Sequence, residues 1–200
     1  MSTPERPSAA VLLRESITQA IAVCDELRDE SVIAAAERVA QEIVRALAGG
    51  QKVLLCGNGG SAADAQHLAA ELVGRFFLDR KPFPAIALAD NTAAITAISN
   101  DYSYEYAFAR GVQAFGQAGD VLIGLSTSGA SKNVVAALAA AKQMGLITVA
   151  FVASTDCPMA GVATHVLCVR GENAARIQEG HMLLGHSIFE VVERELCHPS

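Results

Sequence analysis

Aromatic side chains make up only 5% of the 200 residues, and tryptophan is absent. A chain with so few rings and so much alanine is built from helices packed on a sheet rather than from an all-β sandwich. The five cysteines (Cys24, Cys56, Cys157, Cys168, Cys197) are odd in number and include no CxxC pair. That argues against a disulfide framework and against a thiolate zinc site, and is the usage of a cytoplasmic protein with reduced thiols. Positive charge is also short. Fifteen Lys and Arg face 21 Asp and Glu, giving a net charge of −6 with no basic cluster, so no nucleic-acid surface is expected. An anionic small substrate stays open, because helix N-termini bind anions whatever the net charge. No apolar run reaches the ~18 residues of a membrane span, and the N-terminal MSTPERPS has no apolar leader region. Neither a membrane partner nor a cleaved leader is therefore expected.

What remains is a chain that is 52% hydrophobic and 18% charged, enough for one sizeable core. Residues 1–7 hold two prolines and read as a frayed tail. A helix is predicted over 8–29, with Leu13, Ile17, Ala20, Cys24 and Leu27 forming a narrow seam rather than a broad core face. A second is predicted over 31–48, carrying Ile33, Ala36, Val39, Ala40, Ile43 and Leu47 and closed by Gly49-Gly50. This pair precedes the first strand and needs something to pack on, either a partner subunit or the chain's own sheet.

From residue 52 the pattern changes. Apolar runs without strict alternation recur at 53–56, 85–89, 121–125, 147–152 and 166–169. Helical stretches separate most of them: 62–76, 93–99, 104–115, 133–144 and finally 176–193. Short buried strands interleaved with helices predict a five-stranded parallel sheet in a three-layer αβα domain with right-handed crossovers. The chain thus divides into a tail and helical pair, 1–50, and an α/β domain, 51–200.

Three strand ends carry unusual polar loops. At 57–61 the first strand breaks into Gly57-Asn58-Gly59-Gly60-Ser61, with Ser61 placed to cap the following helix. The spacing fits neither a dinucleotide fingerprint nor a Walker loop. At 124–133 the third strand leads into Ser126, Thr127, Ser128 and Ser131 around a glycine, just before a helix. One hydroxyl suffices for a cap; four at a helix N-terminus suit a phosphate. At 98–106 a loop carries Asn100 and Asp101. The helix after the first strand presents His67 and Glu71 four residues apart on one face. On the last helix Gln178 and His186 interrupt an apolar face and lie about 80° apart at 100° per residue. Two nitrogens and two oxygens form a borderline-hard set suited to Zn²⁺ or a related divalent ion, if the two helices meet.

The strings GNGGSAADAQHLAAEL, AISNDYSYEYAFARGV, GLSTSGASKNV and RIQEGHMLLGH together resemble the sugar-isomerase (SIS) proteins and, within them, the phosphoheptose isomerases. The resemblance spans essentially the whole chain. It implies a five-stranded flavodoxin-like domain and a homotetramer assembled through the N-terminal helices. The implied reaction converts D-sedoheptulose 7-phosphate into D-glycero-D-manno-heptose 7-phosphate, the first step toward nucleotide-activated heptose for lipopolysaccharide or related products. It also implies substrate contacts at Asn58, Gly59, Gly60 and Ser61, at Asn100 and Asp101, and at Ser126, Thr127, Ser128 and Ser131. One Zn²⁺ per subunit would be held by His67, Glu71, Gln178 and His186, with Glu71 and Gln178 also facing substrate. Some relatives carry Asp or Thr three residues before the glutamine; this chain has Ala175, so one secondary polar contact is expected to be missing.

Aldose–ketose isomerisation moves a proton between adjacent carbons through an enediol and needs a base, an acid and donors for the developing oxyanion. Glu71 is the expected base and His186 the expected acid. A carboxylate held tightly by a metal is a poorer base, so Glu71 is expected to loosen during turnover. Two other readings stand beside this one. Some SIS proteins are adaptors that bind the bacterial replication initiator, and others are sugar-phosphate-sensing regulatory domains. Retention of Glu71 together with the STSG loop favours the enzyme.

Overall fold

The computed structural model describes residues 7–197; of the tail read at 1–7, residues 1–6 lie outside them. The apolar runs have no polar face to turn to water; the central ones bury almost completely and the two edge runs partly. Strands β1 (Val53–Cys56), β3 (Val121–Leu125) and β4 (Ile147–Val152) form the centre of the sheet. The shorter β2 (Ala85–Ala87) and β5 (His165–Cys168) form its edges. All pairs are parallel, in the order β2-β1-β3-β4-β5. That is the flavodoxin-like order, whose direction reverses beside β1 and β3. In register, Cys56 pairs with Gly124. The polar loops after β1 and β3 therefore leave the sheet side by side at its C-terminal edge, where open α/β sheets bind ligands.

Helices cover both faces. On one side lie α1 (Ala9–Glu26), α2 (Glu30–Ala48), α3 (Gly60–Val73) and α8 (Ala174–Cys197), joined by a core of Val39, Ile43, Leu55, Leu68, Ile123, Phe151, Leu184 and Phe189. On the other lie α5 (Ala107–Phe115), α6 (Lys132–Gln143) and the short α7 (Pro158–Val162), packed around Leu54, Phe108, Leu122, Leu138 and Met159. The five-residue α7 is an element the sequence reading missed; it is too short to carry a helical period. A 3-10 turn, Tyr104–Tyr106, occupies the start of the helix expected at 104–115.

The helical pair divides its roles. α2 buries Val39, Ala40, Ile43 and Ala46 in the core of its own sheet, so it is the lid of the two alternatives. On α1 only Val23 is buried within the helix. Leu13, Ile17 and Ile21 are 60–65% exposed.

Among the described residues no helix is long and apolar enough to cross a membrane.

Candidate active site

Helix α3 begins two residues earlier than a Ser61 cap requires. Gly59, at φ 54°, is the N-cap and makes no side-chain cap bond, and Gly60 is the first helical residue. Ser61 lies inside the first turn and is buried. The capping expectation for Ser61 is therefore wrong. The left-handed turn at Gly59 starts the helix before the serine is reached.

Asn58, beside that turn, is locked by two neighbours. Its amide and that of Asn133 are reciprocally bonded, at 2.9 and 2.8 Å, and the Tyr104 hydroxyl donates to Asn58 Oδ1 at 2.7 Å. Asn58, Gly59, Thr92 and Tyr104 line a cavity of about 200 Å³. Neither Tyr104 nor Asn133 was expected at the site. For Asn133 the readable sign was its position two residues after Ser131, straight after the hydroxyl loop. Nothing in the sequence marked Tyr104.

The β3 loop gathers its hydroxyls. Ser126 Oγ lies 2.9 Å from Ser131 Oγ and 3.2 Å from Ser128 Oγ. Ser131 is the N-cap of α6, yet its side chain makes no capping bond. The oxygens face one another rather than the helix N–H groups, leaving those donors for an anion. Thr127 is half-buried beside them. Gly129, at φ 64°, closes the turn, and its N–H donates to Ser126 O at 3.2 Å.

Asn100 and Asp101 fall in the last turn of α4 (Thr92–Asp101) rather than in a loop. Both are exposed, and Asn100 Nδ2 donates to Asp101 Oδ1 at 2.9 Å. No hydrogen bond among the described residues ties either of them to Asn58 or to the β3 loop.

Helices α3 and α8 do meet. His67 Nε2 lies 3.0 Å from His186 Nε2 and 3.3 Å from Glu71 Oε1. One ligand atom from each of the three falls within 4.8 Å of the others. A tetrahedral ion with bonds of ~2.0–2.1 Å spaces its ligands roughly 3.3 Å apart. Two imidazoles and a carboxylate at these separations fit a divalent ion, and Zn²⁺ suits this donor chemistry. Burial, and then the neighbouring His67, lower the His186 pKa, with Glu71 opposing. That direction favours the neutral form, in which an imidazole ligates a metal.

Gln178 stands on the same wall. With Asp64, Ala175 and His186 it lines a cavity of about 570 Å³. Its Nε2 donates to Asp64 Oδ1 at 3.1 Å. Its amide lies so close to Gly60 that a Cβ there would sit 2.4 Å from Gln178 Oε1. Asp64 is the residue the sequence reading under-used. It is 7% exposed, and its Oδ2 has no hydrogen-bond partner. Burial raises its pKa, against the Gln178 bond. The readable sign was spacing: Asp64, His67 and Glu71 fall at i, i+3, i+7 on one stripe of α3.

Comparison with known proteins places the chain among relatives. A family model described as "SIS domain" matches residues 15–153. The chain is similar to the phosphoheptose isomerase of Clostridium acetobutylicum, 47% identical over 170 residues that cover 85% of this chain and 87% of that one. It is 50% identical over 171 residues to that of a Roseiflexus species, covering 86% and 85%. The solved structure of phosphoheptose isomerase from Neisseria gonorrhoeae has a TM-score of 0.87 at 35% identity, covering 93% of this chain and 99% of that one.

Proposed function

The chain belongs to the phosphoheptose isomerases, a family of SIS-domain enzymes, and from that premise we propose that it converts D-sedoheptulose 7-phosphate into D-glycero-D-manno-heptose 7-phosphate. The observation that carries the reading is the meeting of His67, Glu71 and His186 across α3 and α8.

The phosphate sits on Ser126, Thr127, Ser128 and Ser131 at the N-terminus of α6, and binding energy spent there orients the open-chain sugar. Asn58, with Gly59, Gly60 and Ser61, holds the sugar hydroxyls, while Asn100 and Asp101 approach from α4. Glu71 takes a proton from C1 as His186 delivers one to the C2 oxygen, which forms the 1,2-enediol. Removal of the O1 proton and return of a proton to C2 leave the aldehyde at C1 and a hydroxyl at C2. Glu71 Oε1 faces His67 at 3.3 Å, leaving Oε2 for the proton. One Zn²⁺ per subunit would be held by His67, Glu71, His186 and Gln178; it supplies positive charge for the developing oxyanion.

The exposed apolar stripe on α1 supports assembly of a homotetramer through the N-terminal segment 1–50, with 51–200 as the isomerase domain. The reduced-cysteine usage supports a cytoplasmic setting, and the product suits heptose biosynthesis toward lipopolysaccharide or related glycans. The replication-initiator adaptor has no observation in its favour, since Glu71 and the hydroxyl loop are both in place.

Purified protein should turn sedoheptulose 7-phosphate into the aldose phosphate, lose that activity to a chelator and regain it with Zn²⁺. Glu71→Gln should be folded and inactive. Full turnover by Glu71→Gln would remove Glu71 from the base role, and no turnover by metal-replete wild type would sink the reading.

A further inference from the structure

We propose that the buried Arg80–Glu193 pair is a positioning device for the metal-ligand cluster, tying the end of α3 to α8 so that His67 and Glu71 stay in register with His186. The inference rests on the reading of that cluster as a metal site.

The pair is almost wholly out of water: the Arg80 side chain is 5% exposed and the Glu193 side chain 2%. Glu193 accepts four hydrogen bonds. Phe76 N–H and Arg80 Nε donate to Oε1 at 3.0 and 2.7 Å, and Phe77 and Leu78 N–H donate to Oε2 at 2.7 and 3.0 Å. Arg80 then reaches α3 with its other nitrogens. Nη2 donates to the Glu71 carbonyl at 2.9 Å and Nη1 to the Leu72 carbonyl at 3.0 Å. Those are carbonyls of the last turn of α3, which have no partner further along the helix. The guanidinium also lies 4.0 Å from the centre of the Phe83 ring.

Stability alone is a weak reason for such an arrangement. A buried ion pair is often no more stabilising than well-packed apolar residues of similar volume. Its connections give a better reason. On α3 it grips the main chain of Glu71, one of the three ligands. On α8 Glu193 follows His186 by seven residues, two turns along nearly the same face. Between them, Phe76 is bonded through its N–H to Glu193 and lays its ring on His186, centroids 5.6 Å apart at 25°. One buried pair thus joins both ligand helices and the ring stacked on a ligand. A second, partly buried ion pair among the described residues, Lys52–Asp120 at 2.7 Å, precedes β1 and β3 and makes no hydrogen bond to α3 or α8. It provides an internal control.

The test measures Zn²⁺ affinity of the full chain by competition with a chromophoric chelator, alongside thermal stability of the metal-free protein. Arg80→Lys and Glu193→Gln should each weaken Zn²⁺ binding roughly 10- to 100-fold, as outer partners of metal ligands do. In both, kcat should fall more than KM rises. Asp120→Asn should lower metal-free stability and leave Zn²⁺ affinity within about two-fold. Phe76→Leu, which leaves the ion pair untouched, should weaken Zn²⁺ binding by a smaller factor, and it decides the matter if neither pair variant folds. Unchanged Zn²⁺ affinity in the folded variants, or an equal loss in Asp120→Asn, overturns the positioning role while the metal site stands. Failure of the wild type to bind Zn²⁺ overturns the metal reading and the positioning role with it.

Discussion

Gly60→Ala separates the stability of this fold from the chemistry of its site. Gly60 is the first residue of α3 and has no left-handed backbone to protect. By helix propensity alone, alanine there should be stabilising by about 1 kcal/mol. The new Cβ, however, would fall 2.4 Å from Gln178 Oε1, 2.6 Å from Nε2 and 2.8 Å from Cδ. The amide is the far end of a flexible side chain, so it retreats by about 1 Å at a rotamer cost of about 0.5–1.5 kcal/mol. The retreat breaks the 3.1 Å bond to Asp64, a buried carboxyl whose other oxygen already has no partner. Leaving such a group unsatisfied costs about 1–3 kcal/mol. The net expectation is a loss of about 1–3 kcal/mol, which lowers Tm by several degrees. Turnover should suffer more. With Gln178 displaced from the substrate wall, kcat/KM for sedoheptulose 7-phosphate should drop about 100-fold, or about 2.7 kcal/mol of transition-state stabilisation. Urea unfolding at fixed protomer concentration and steady-state kinetics make the measurement. The decisive arm repeats the substitution in a Gln178→Ala background. With the amide gone, only the propensity gain remains, and Gly60→Ala should become stabilising. If it destabilises equally in both backgrounds, or if the single variant keeps full activity, the packing argument is refuted.

Gly129→Ala places a side chain on a backbone at φ 64° and a Cβ 2.4 Å from Cys157 Sγ; the hydroxyl loop should tilt, and KM should rise at least ~10-fold (about 1.4 kcal/mol) in steady-state assays, with a smaller change in kcat. Burial holds the His181 pKa at about 4 against 6.5 for the free side chain. Between those values the unfolded chain takes up a proton that the folded chain refuses, so stability falls as pH drops below 6.5 and His181 adds no pH dependence above it. Urea unfolding of metal-free protein should lose about 2 kcal/mol from this group between pH 7.5 and 5, a slope that His181→Leu should lack. For the homotetramer proposed above, Ile17→Glu combined with Ile21→Glu should give smaller species in sedimentation velocity with an unchanged far-UV spectrum, because both residues are at least 60% exposed on the isolated chain.

The centre of the sheet was legible because its strands are buried on both faces. Runs such as 121–125 and 147–152 have no polar alternation, and β3 and β4 occupy those bounds. Helix ends were less legible. Asn100 and Asp101 look like loop residues by composition, yet their backbone continues α4 up to the Tyr102 cap, and terminal residues are the hardest helix bounds to read. Ser61 looks like a cap, but a glycine with positive φ two positions earlier starts the helix first.

Local sequence alone determined the βα alternation, the glycine and hydroxyl loops, and the i, i+4 placement of His67 and Glu71, since each depends on neighbours within a turn or a strand. It could not decide that β1 and β3 pair so that their loops emerge together, nor that α3 crosses α8 closely enough to bring His67 within 3.0 Å of His186. Those are contacts across 68 and 119 positions, set by which apolar faces bury against one another. The same holds for Asp64 and for the Arg80–Glu193 pair. A buried charge is written in the sequence like any other, and only the tertiary structure shows what surrounds it. Two of the three candidate metal ligands were therefore written in one helix, and the packing of another supplied the third.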